Sequence, residues 1–245
     1  MTDLPVYTAA DGIATLILHE IPTRGEGYVL VRAVFGQLDA LLHECADFCR
    51  NAGARAVYAG GEGDFSAYPV FASLMERRRC FDAPPEPAGL QAVPVTPETA
   101  WRWAEEYNRR FAAVPSAQSC GFAETRRLAQ SGEAFFVLDG ETPVGLGRVR
   151  GQTLLALASL RPGMGEKTLL ELVRRCGMRE VTLTCAAENR RAMALYDHLG
   201  FSRGEIRQRW YTLPCFCPFC QKKMEKSWGI CLTSATKPVD ETRSI

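Results

Sequence analysis

The segment 189–201 places two polar side chains where a predicted strand leads into a predicted helix. It reads Asn-Arg-Arg-Ala-Met-Ala-Leu-Tyr-Asp-His-Leu-Gly-Phe, and its apolar residues share one face of a helix that ends at Gly200. Tyr196 lies beside that face, so its ring can pack while its hydroxyl reaches a cleft; the alternative is a half-buried aromatic without a chemical role. Asn189 can bind a ligand, cap the helix, or do both.

A second segment, 161–167, reads Arg-Pro-Gly-Met-Gly-Glu-Lys and leads from a predicted strand into a predicted helix. Unpaired amides and the helix dipole favour an anion at such a place, whereas the alternative is a tight glycine turn. Glu166 adds negative charge there, and Lys167 can offset it. Because Glu166 interrupts the Gly-Lys-Thr triplet, the segment is not a Walker loop.

Hydrophobic periodicity predicts the elements that must position these residues. Strands are predicted over 90–95, 134–138, 144–149, 153–160 and 181–185, with a final strand pair over 201–213; helices are predicted over 97–111, 122–130, 167–176 and 190–199. This order predicts an α/β (α+β) fold, in which helices flank a mixed, mostly antiparallel central sheet.

Three prolines within four residues mark 83–89 as a linker. Residues 1–82 are predicted to form a small β-β-α-β unit, with strands over 14–19, 27–33 and 54–59 and a helix over 37–51. Residues 90–213 are predicted to form the main domain. Residues 214–245 are predicted to be a cysteine-containing, poorly ordered tail.

The motif and the element order together resemble the GCN5-related N-acetyltransferase superfamily over residues 90–213. The segment 189–201 matches the family pattern of Asn, Ala three residues on, Leu-Tyr three further, and then Leu-Gly-Phe. The resemblance implies the acyl-CoA N-acyltransferase fold. Residues 1–82 have a similar strand–helix–strand order and are a candidate for a partial copy of that fold.

The resemblance also implies roles for individual residues. In the family the tyrosine matching Tyr196 protonates the departing CoA thiolate, which a phenol can do because its pKa of about 10 exceeds the thiol's, at about 8.5. Asn189 would hydrogen-bond the pantetheine arm or the nearby main chain. The main chain of Leu157, Ala158, Ser159 and Leu160 would pair with pantetheine and polarise the thioester carbonyl. The pyrophosphate would be held by Arg161, Gly163, Met164, Gly165, Glu166 and Lys167, although Arg161 stands one residue closer to the glycines than in the family.

No residue stands out as the base that deprotonates the acceptor amine. Glu188, Glu105 and Glu106 are candidates, but each is more typical of solvated surface, and a water relay or a neutral amine needs no base. An aromatic acceptor wall or, alternatively, a buried core could be formed by Trp101, Trp103, Tyr107 and Phe111. The three histidines have no evident cysteine or serine partner, which argues against a covalent intermediate.

The sequence therefore predicts an N-acetyltransferase that moves an acetyl group from acetyl-CoA to a primary amine by direct attack. The alternative, motivated by the short loop at 161–167, is a non-catalytic acyl-CoA-binding or interaction protein. A formal charge of +1, from 29 basic and 28 acidic residues, gives no case for nucleic acid or a membrane surface. Because there is no long apolar run and no secretory signal, we expect a cytoplasmic protein. As for its oligomeric state, we expect a monomer or a homodimer.

Ten cysteines are a high number for this length. Six are expected to be buried thiols in a reducing compartment, namely Cys45, Cys49, Cys80, Cys120, Cys176 and Cys185. The other four, Cys215, Cys217, Cys220 and Cys231, could bind zinc, but they contain a single Cys-x-x-Cys pair. We therefore expect no metal.

Overall fold

In the computed structural model, which describes residues 4–214, the strands join into one eleven-stranded sheet. The strands are β1 Val6–Ala9, β2 Gly12–Ile17, β3 Glu26–Val34, β4 Ala56–Gly61, β5 Val70–Cys80, β6 Gln91–Pro94, β7 Ala134–Asp139, β8 Thr142–Arg150, β9 Thr153–Ser159, β10 Glu180–Ala186 and β11 Ser202–Thr212. The helices are α1 Ile21–Arg24, α2 Leu38–Asn51, α3 Ala100–Phe111, α4 Phe122–Ser131, α5 Gly165–Arg175 and α6 Arg190–His198. The mixed sheet flanked by helices confirms the predicted fold class.

The spatial order of the strands is β1-β2-β3-β4-β11-β5-β10-β9-β8-β7-β6. The last strand, β11, lies between β4 and β5, whereas β5 pairs antiparallel with the whole of β10. The two parts of the chain on either side of the proline-rich segment therefore each place a strand beside the other part. The division at 83–89 into separate domains stays a prediction.

Four elements differ from the predictions, and three of them, β1, β5 and the short helix α1, were not predicted at all. The final strand pair is a single long strand, β11, with register shifts against β5. Gly204 resembles a turn residue in sequence, but a Cβ there would lie 2.2 Å from the Glu76 carbonyl oxygen, so the glycine permits close approach to β5. The strand β5 was not predicted, because four consecutive charged residues, 76–79, hide its pattern.

The two faces of β8 pack against different helices, as alternation along a strand requires. Leu146 packs with Trp103 of α3 and Leu128 of α4 in one buried cluster. Gly145 and Gly147 face α5 instead, where they leave room for Thr168 and Leu172. No helix within residues 4–214 combines the length and apolar character needed to cross a bilayer.

The close packing at Gly145 predicts a measurable loss of stability in Gly145→Ala. An added Cβ would lie 2.3 Å from Thr168 Oγ1, and Thr168 is fully buried and donates to the Met164 carbonyl oxygen over 2.6 Å. We expect the free energy of unfolding to fall by about 1–2 kcal/mol in urea titrations followed by tryptophan fluorescence. Gly121→Ala is the control, because no neighbour lies within 4 Å of its Cβ position. Equal stability of the two variants would contradict the packing argument.

The cysteines are only partly as predicted. Cys45, Cys49, Cys120 and Cys185 are buried thiols, but Cys176 is half-buried and Cys80 is exposed at the end of β5. The prediction of burial was therefore wrong for Cys80. The possible zinc ligands Cys215, Cys217, Cys220 and Cys231 lie outside the described residues.

Candidate active site

A cleft opens where the parallel strands β9 and β10 part. The two strands pair only at their beginnings, Thr153 with Thr182 and Leu154 with Leu183. Beyond these pairs β9 stays bonded to β8 and β10 stays bonded to β5, so neither strand can follow the other. A β-bulge lies at this point, because Leu155 is an extra residue in the register between β8 and β9. The resulting cleft has a volume of about 570 Å³.

Tyr196 projects from α6 into this cleft. Its side chain is 7% exposed, and its ring packs 5.4 Å from that of Phe201. Within residues 4–214 the Tyr196 hydroxyl makes no hydrogen bond, whereas every fully buried polar side-chain atom has a partner. The hydroxyl oxygen is therefore not fully buried. The hydroxyl therefore opens toward the cleft. Burial raises the pKa of Tyr196 above its usual value, and Cys185 raises it further while Arg77 lowers it.

Asn189 begins α6 and also lines the cleft. Its Oδ1 accepts a hydrogen bond from the Ala192 amide at 3.2 Å, which confirms the predicted capping role. Its role toward a ligand stays a prediction.

The main chain of β9 divides between β8 and the cleft. The Leu160 amide donates to Val144 and its carbonyl accepts from Arg110, so both groups are occupied. Because hydrogen-bonded pairs alternate along an antiparallel ladder, the main-chain N–H and C=O groups of Ala158 also point toward β8. Those of Leu157 and Ser159 point the other way, toward the opening. Of the four residues predicted to bind pantetheine through the main chain, Leu157 and Ser159 keep that edge available.

The predicted anion loop leads directly into α5. The amide of Thr168 is the first to make a helical hydrogen bond, to Met164, so the amides of Gly165, Glu166 and Lys167 have no main-chain acceptor within residues 4–214. Gly163 has a left-handed φ of 78° and open space around it. The carboxylate of Glu166 lies 3.5 Å from His198 Nε2 on α6. Arg161 lines a separate shallow cavity beside Arg110 rather than the cleft.

The candidate bases lie elsewhere. The Glu188 carboxylate accepts from the Ser73 amide at 3.0 and 3.1 Å, which ties it to β5. Glu106 pairs with Arg109 on the surface of α3, and Glu105 is exposed. None of the three lines the cleft between β9 and β10. The carboxylate that does is Glu124 at the start of α4, which the sequence does not distinguish from a surface glutamate. It is paired with Arg127 and Arg148 at 2.7 Å each, and the hydrogen bond from Arg127 holds its pKa below the ordinary value.

The four predicted wall aromatics separate into three environments. Tyr107 and Phe111 line the cleft with rings 4.4 Å apart, and burial raises the pKa of Tyr107 to about 12. Trp103 is a core residue, since it is 1% exposed and its Nε1 donates to the Phe135 carbonyl. Trp101 is 54% exposed. The positions of Tyr107 and Phe111 are therefore compatible with the acceptor-wall prediction.

Two strong contacts anchor α6, the helix that carries Tyr196. The guanidinium of Arg77 on β5 is fully buried and donates to Asp197 Oδ1 at 2.5 Å, the Phe201 carbonyl at 2.9 Å and the Ser202 carbonyl at 3.0 Å. At the other end, Glu188 is held by Ser73 of the same strand. The position of Tyr196 thus depends on β5, which precedes the proline-rich segment.

Comparison with known proteins identifies the fold. No family model matches the sequence, and no curated protein matches it. The chain resembles a GCN5-related N-acetyltransferase from Sphaerobacter thermophilus with a TM-score of 0.51 and 19% identity, over 82% of this chain and 75% of that one. It resembles a putative acetyltransferase from Pyrococcus horikoshii with a TM-score of 0.53 and 14% identity, over 83% of this chain and 69% of that one. It resembles a GCN5-related N-acetyltransferase from Kribbella flavida with a TM-score of 0.50 and 13% identity, over 86% of this chain and 90% of that one.

At these identities the likeness shows the fold, which is that of the GCN5-related N-acetyltransferases. The likeness covers 82–86% of this chain, so it is not limited to residues 90–213, where the sequence motifs lie. The view of residues 1–82 as a partial copy stays a hypothesis.

Proposed function

We propose that this protein is an N-acetyltransferase that moves an acetyl group from acetyl-CoA to a primary amine by direct attack. One observation carries the proposal. Between β9 and β10 the sheet opens into a cleft, and the hydroxyl of Tyr196, which has no partner within residues 4–214, faces that opening. A buried phenol at an opening of this kind is suited to give a proton to a leaving thiolate.

The residues present fit acetyl-CoA as the acyl donor. The free main-chain edge at Leu157 and Ser159 can pair with the amides of a pantetheine arm, and a main-chain amide there can polarise a thioester carbonyl. The unbonded amides of Gly165, Glu166 and Lys167 can donate hydrogen bonds to a pyrophosphate at the beginning of α5. Glu166 lies beside His198, which offsets its charge when the imidazole is protonated.

The proposed reaction balances with groups of this chain and water. The amine nitrogen forms a bond to the carbonyl carbon, the C–S bond breaks, and its electron pair passes to sulfur. Tyr196 donates its hydroxyl proton to that sulfur and recovers a proton from solvent. The proton lost by the amine passes to water, so no carboxylate base is required.

A thiol-release screen tests the proposal. With acetyl-CoA and groups of primary amines, we expect the full chain to release CoA thiol well above the rate without enzyme, and a product that carries one acetyl group by mass spectrometry. Calorimetry with acetyl-CoA alone separates the alternative. Binding without thiol release over a broad amine panel would favour a non-catalytic acyl-CoA-binding protein.

A further inference from the structure

A second cavity, of about 420 Å³, adjoins the cleft between β9 and β10. The two share Tyr107, Gln118, Glu124, Arg148, Leu155 and Ala156, so they are directly adjacent. The far wall of the second cavity comes from the amino-terminal part of the chain, through Ile17, His19 and Thr23. A molecule bound in this cavity would therefore lie next to the cleft that Tyr196 lines.

The side wall common to both cavities is the connecting segment, residues 112–121, between α3 and α4. Residues 114–118 line the cleft and residues 118–121 line the second cavity. Ser116 has a φ of 55°, a left-handed conformation that costs energy outside glycine. Neither a helix nor a strand fixes this segment, which is held by turn hydrogen bonds from the amides of Val114 and Ala117 and by side-chain contacts.

Glu20 supplies one of these contacts from the residue before α1. It is 2% exposed, and its two carboxylate oxygens accept hydrogen bonds from the amide and the hydroxyl of Ser119 at 2.8 and 2.7 Å. His19 Nε2 lies 3.2 Å from the same carboxylate. A buried carboxylate with these partners fixes the end of the connecting segment that faces the second cavity.

Asn108 of α3 also holds the segment, through two hydrogen bonds with the main chain of Cys120 at 2.7 and 3.0 Å. Arg24 supplies a further contact from the end of α1. Its guanidinium donates to the carbonyl oxygens of Phe111, Ala112 and Val114, each at 3.1 Å. Glu26 holds the guanidinium in place with an Nε–Oε2 distance of 2.8 Å. Arg24 is 10% exposed, so these bonds are largely shielded from water. Glu20 and Arg24 together fasten both ends of the connecting segment to the amino-terminal part.

We infer that the second cavity binds the body of the acceptor amine, and that Glu20 and Arg24 are positioning residues that complete this site; the inference rests on the proposed function. The residues that line the second cavity indicate the chemical class of the acceptor. Phe122 and Leu155 are 63% and 41% exposed in spite of their apolar character, and Ile17 lies among the opposite residues. Such surface fits a primary amine that carries an apolar, ring-containing body.

The test compares two amines of different size, methylamine and 2-phenylethylamine. Thr23→Trp is expected to fill the cavity with little effect on folding, since Thr23 is exposed. We expect kcat/KM for 2-phenylethylamine to fall about tenfold or more, while the value for methylamine and the KM for acetyl-CoA stay unchanged. Equal effects on both amines, or no effect on either, would overturn the inference.

Arg24→Met tests the fastening of the connecting segment in the same assay. We expect the KM for 2-phenylethylamine to rise about tenfold and hydrogen exchange at residues 112–121 to increase. Arg32→Met is the matched control, because Arg32 bonds Thr15 within the amino-terminal part. Unchanged exchange at 112–121 would overturn the positioning role. Absence of thiol release with every amine would instead overturn the proposed function.

Discussion

Tyr196→Phe is expected to lower kcat by about 10²–10³-fold while the affinity for acetyl-CoA changes little. The substitution removes only the hydroxyl that opens toward the cleft and keeps the ring that packs against Phe201. A leaving thiolate would then have to take its proton from water. Steady-state kinetics with a saturating amine, together with calorimetric binding of acetyl-CoA, measures both quantities.

Tyr107→Phe is the matched control, because Tyr107 lines the same cleft but belongs to α3. We expect it to change the KM for the amine more than kcat. An unchanged kcat in Tyr196→Phe, or an equal loss of kcat in both variants, would remove Tyr196 as the acid.

The pH dependence of kcat gives a second measure of Tyr196. Burial raises the pKa of its phenol, and the acid acts in its protonated form. A raised pKa extends the protonated form to higher pH, so no loss of kcat from Tyr196 is expected until the pH exceeds its ordinary value of about 10. Thiol-release assays of kcat at pH values up to 10 test this expectation. A fall in kcat near pH 8 that is absent from Tyr196→Phe would contradict it.

Arg77→Met is expected to lower the free energy of unfolding by about 3 kcal/mol. The side chain is fully buried, and its removal leaves the Phe201 and Ser202 carbonyl oxygens without their donor. Breaking this arrangement costs more than a surface ion pair because the Phe201 carbonyl that loses its donor is buried, whereas Asp197 stays partly in contact with water. Urea unfolding followed by fluorescence and by circular dichroism measures the loss.

Arg78→Met provides the comparison, since Arg78 is the next residue and its side chain is 55% exposed. Its ion pair with Glu76 is exposed to solvent, so it is expected to contribute little to stability. Because Asp197 follows Tyr196 on α6, Arg77→Met is also expected to lower kcat in the folded fraction. Equal stability of the two variants would show that Arg77 does not anchor α6.

Much of the candidate site could be predicted from local patterns. The helix after Asn189 has one apolar face and a capping side chain at its start, and it forms as expected. The strand and glycine loop before α5 also form as expected, because hydrophobic alternation and the conformational freedom of Gly163 act over a few neighbouring residues. These local preferences place Tyr196 beside an apolar face before any tertiary contact is known.

The features that could not be predicted depend on partners far away in sequence. The charged run in β5 is compatible with a buried strand only because Arg77 meets Asp197, 120 residues later. Likewise, Glu20 and Arg24 look like surface residues until the connecting segment, about 90 residues on, supplies their partners. No local pattern shows which of many charges will be paired and buried.

Within residues 4–214 the sequence by itself therefore determined five of the six helices, most strands and the Asn189–Phe201 motif, since these follow from hydrophobic period, capping and turn chemistry within short windows. The tertiary structure alone decided that β11 inserts between β4 and β5, that β9 and β10 separate into a cleft, and that the amino-terminal part closes a second cavity beside it. Strand pairing and burial of charge are set by which distant surfaces meet, and their free energy appears only once they are in contact.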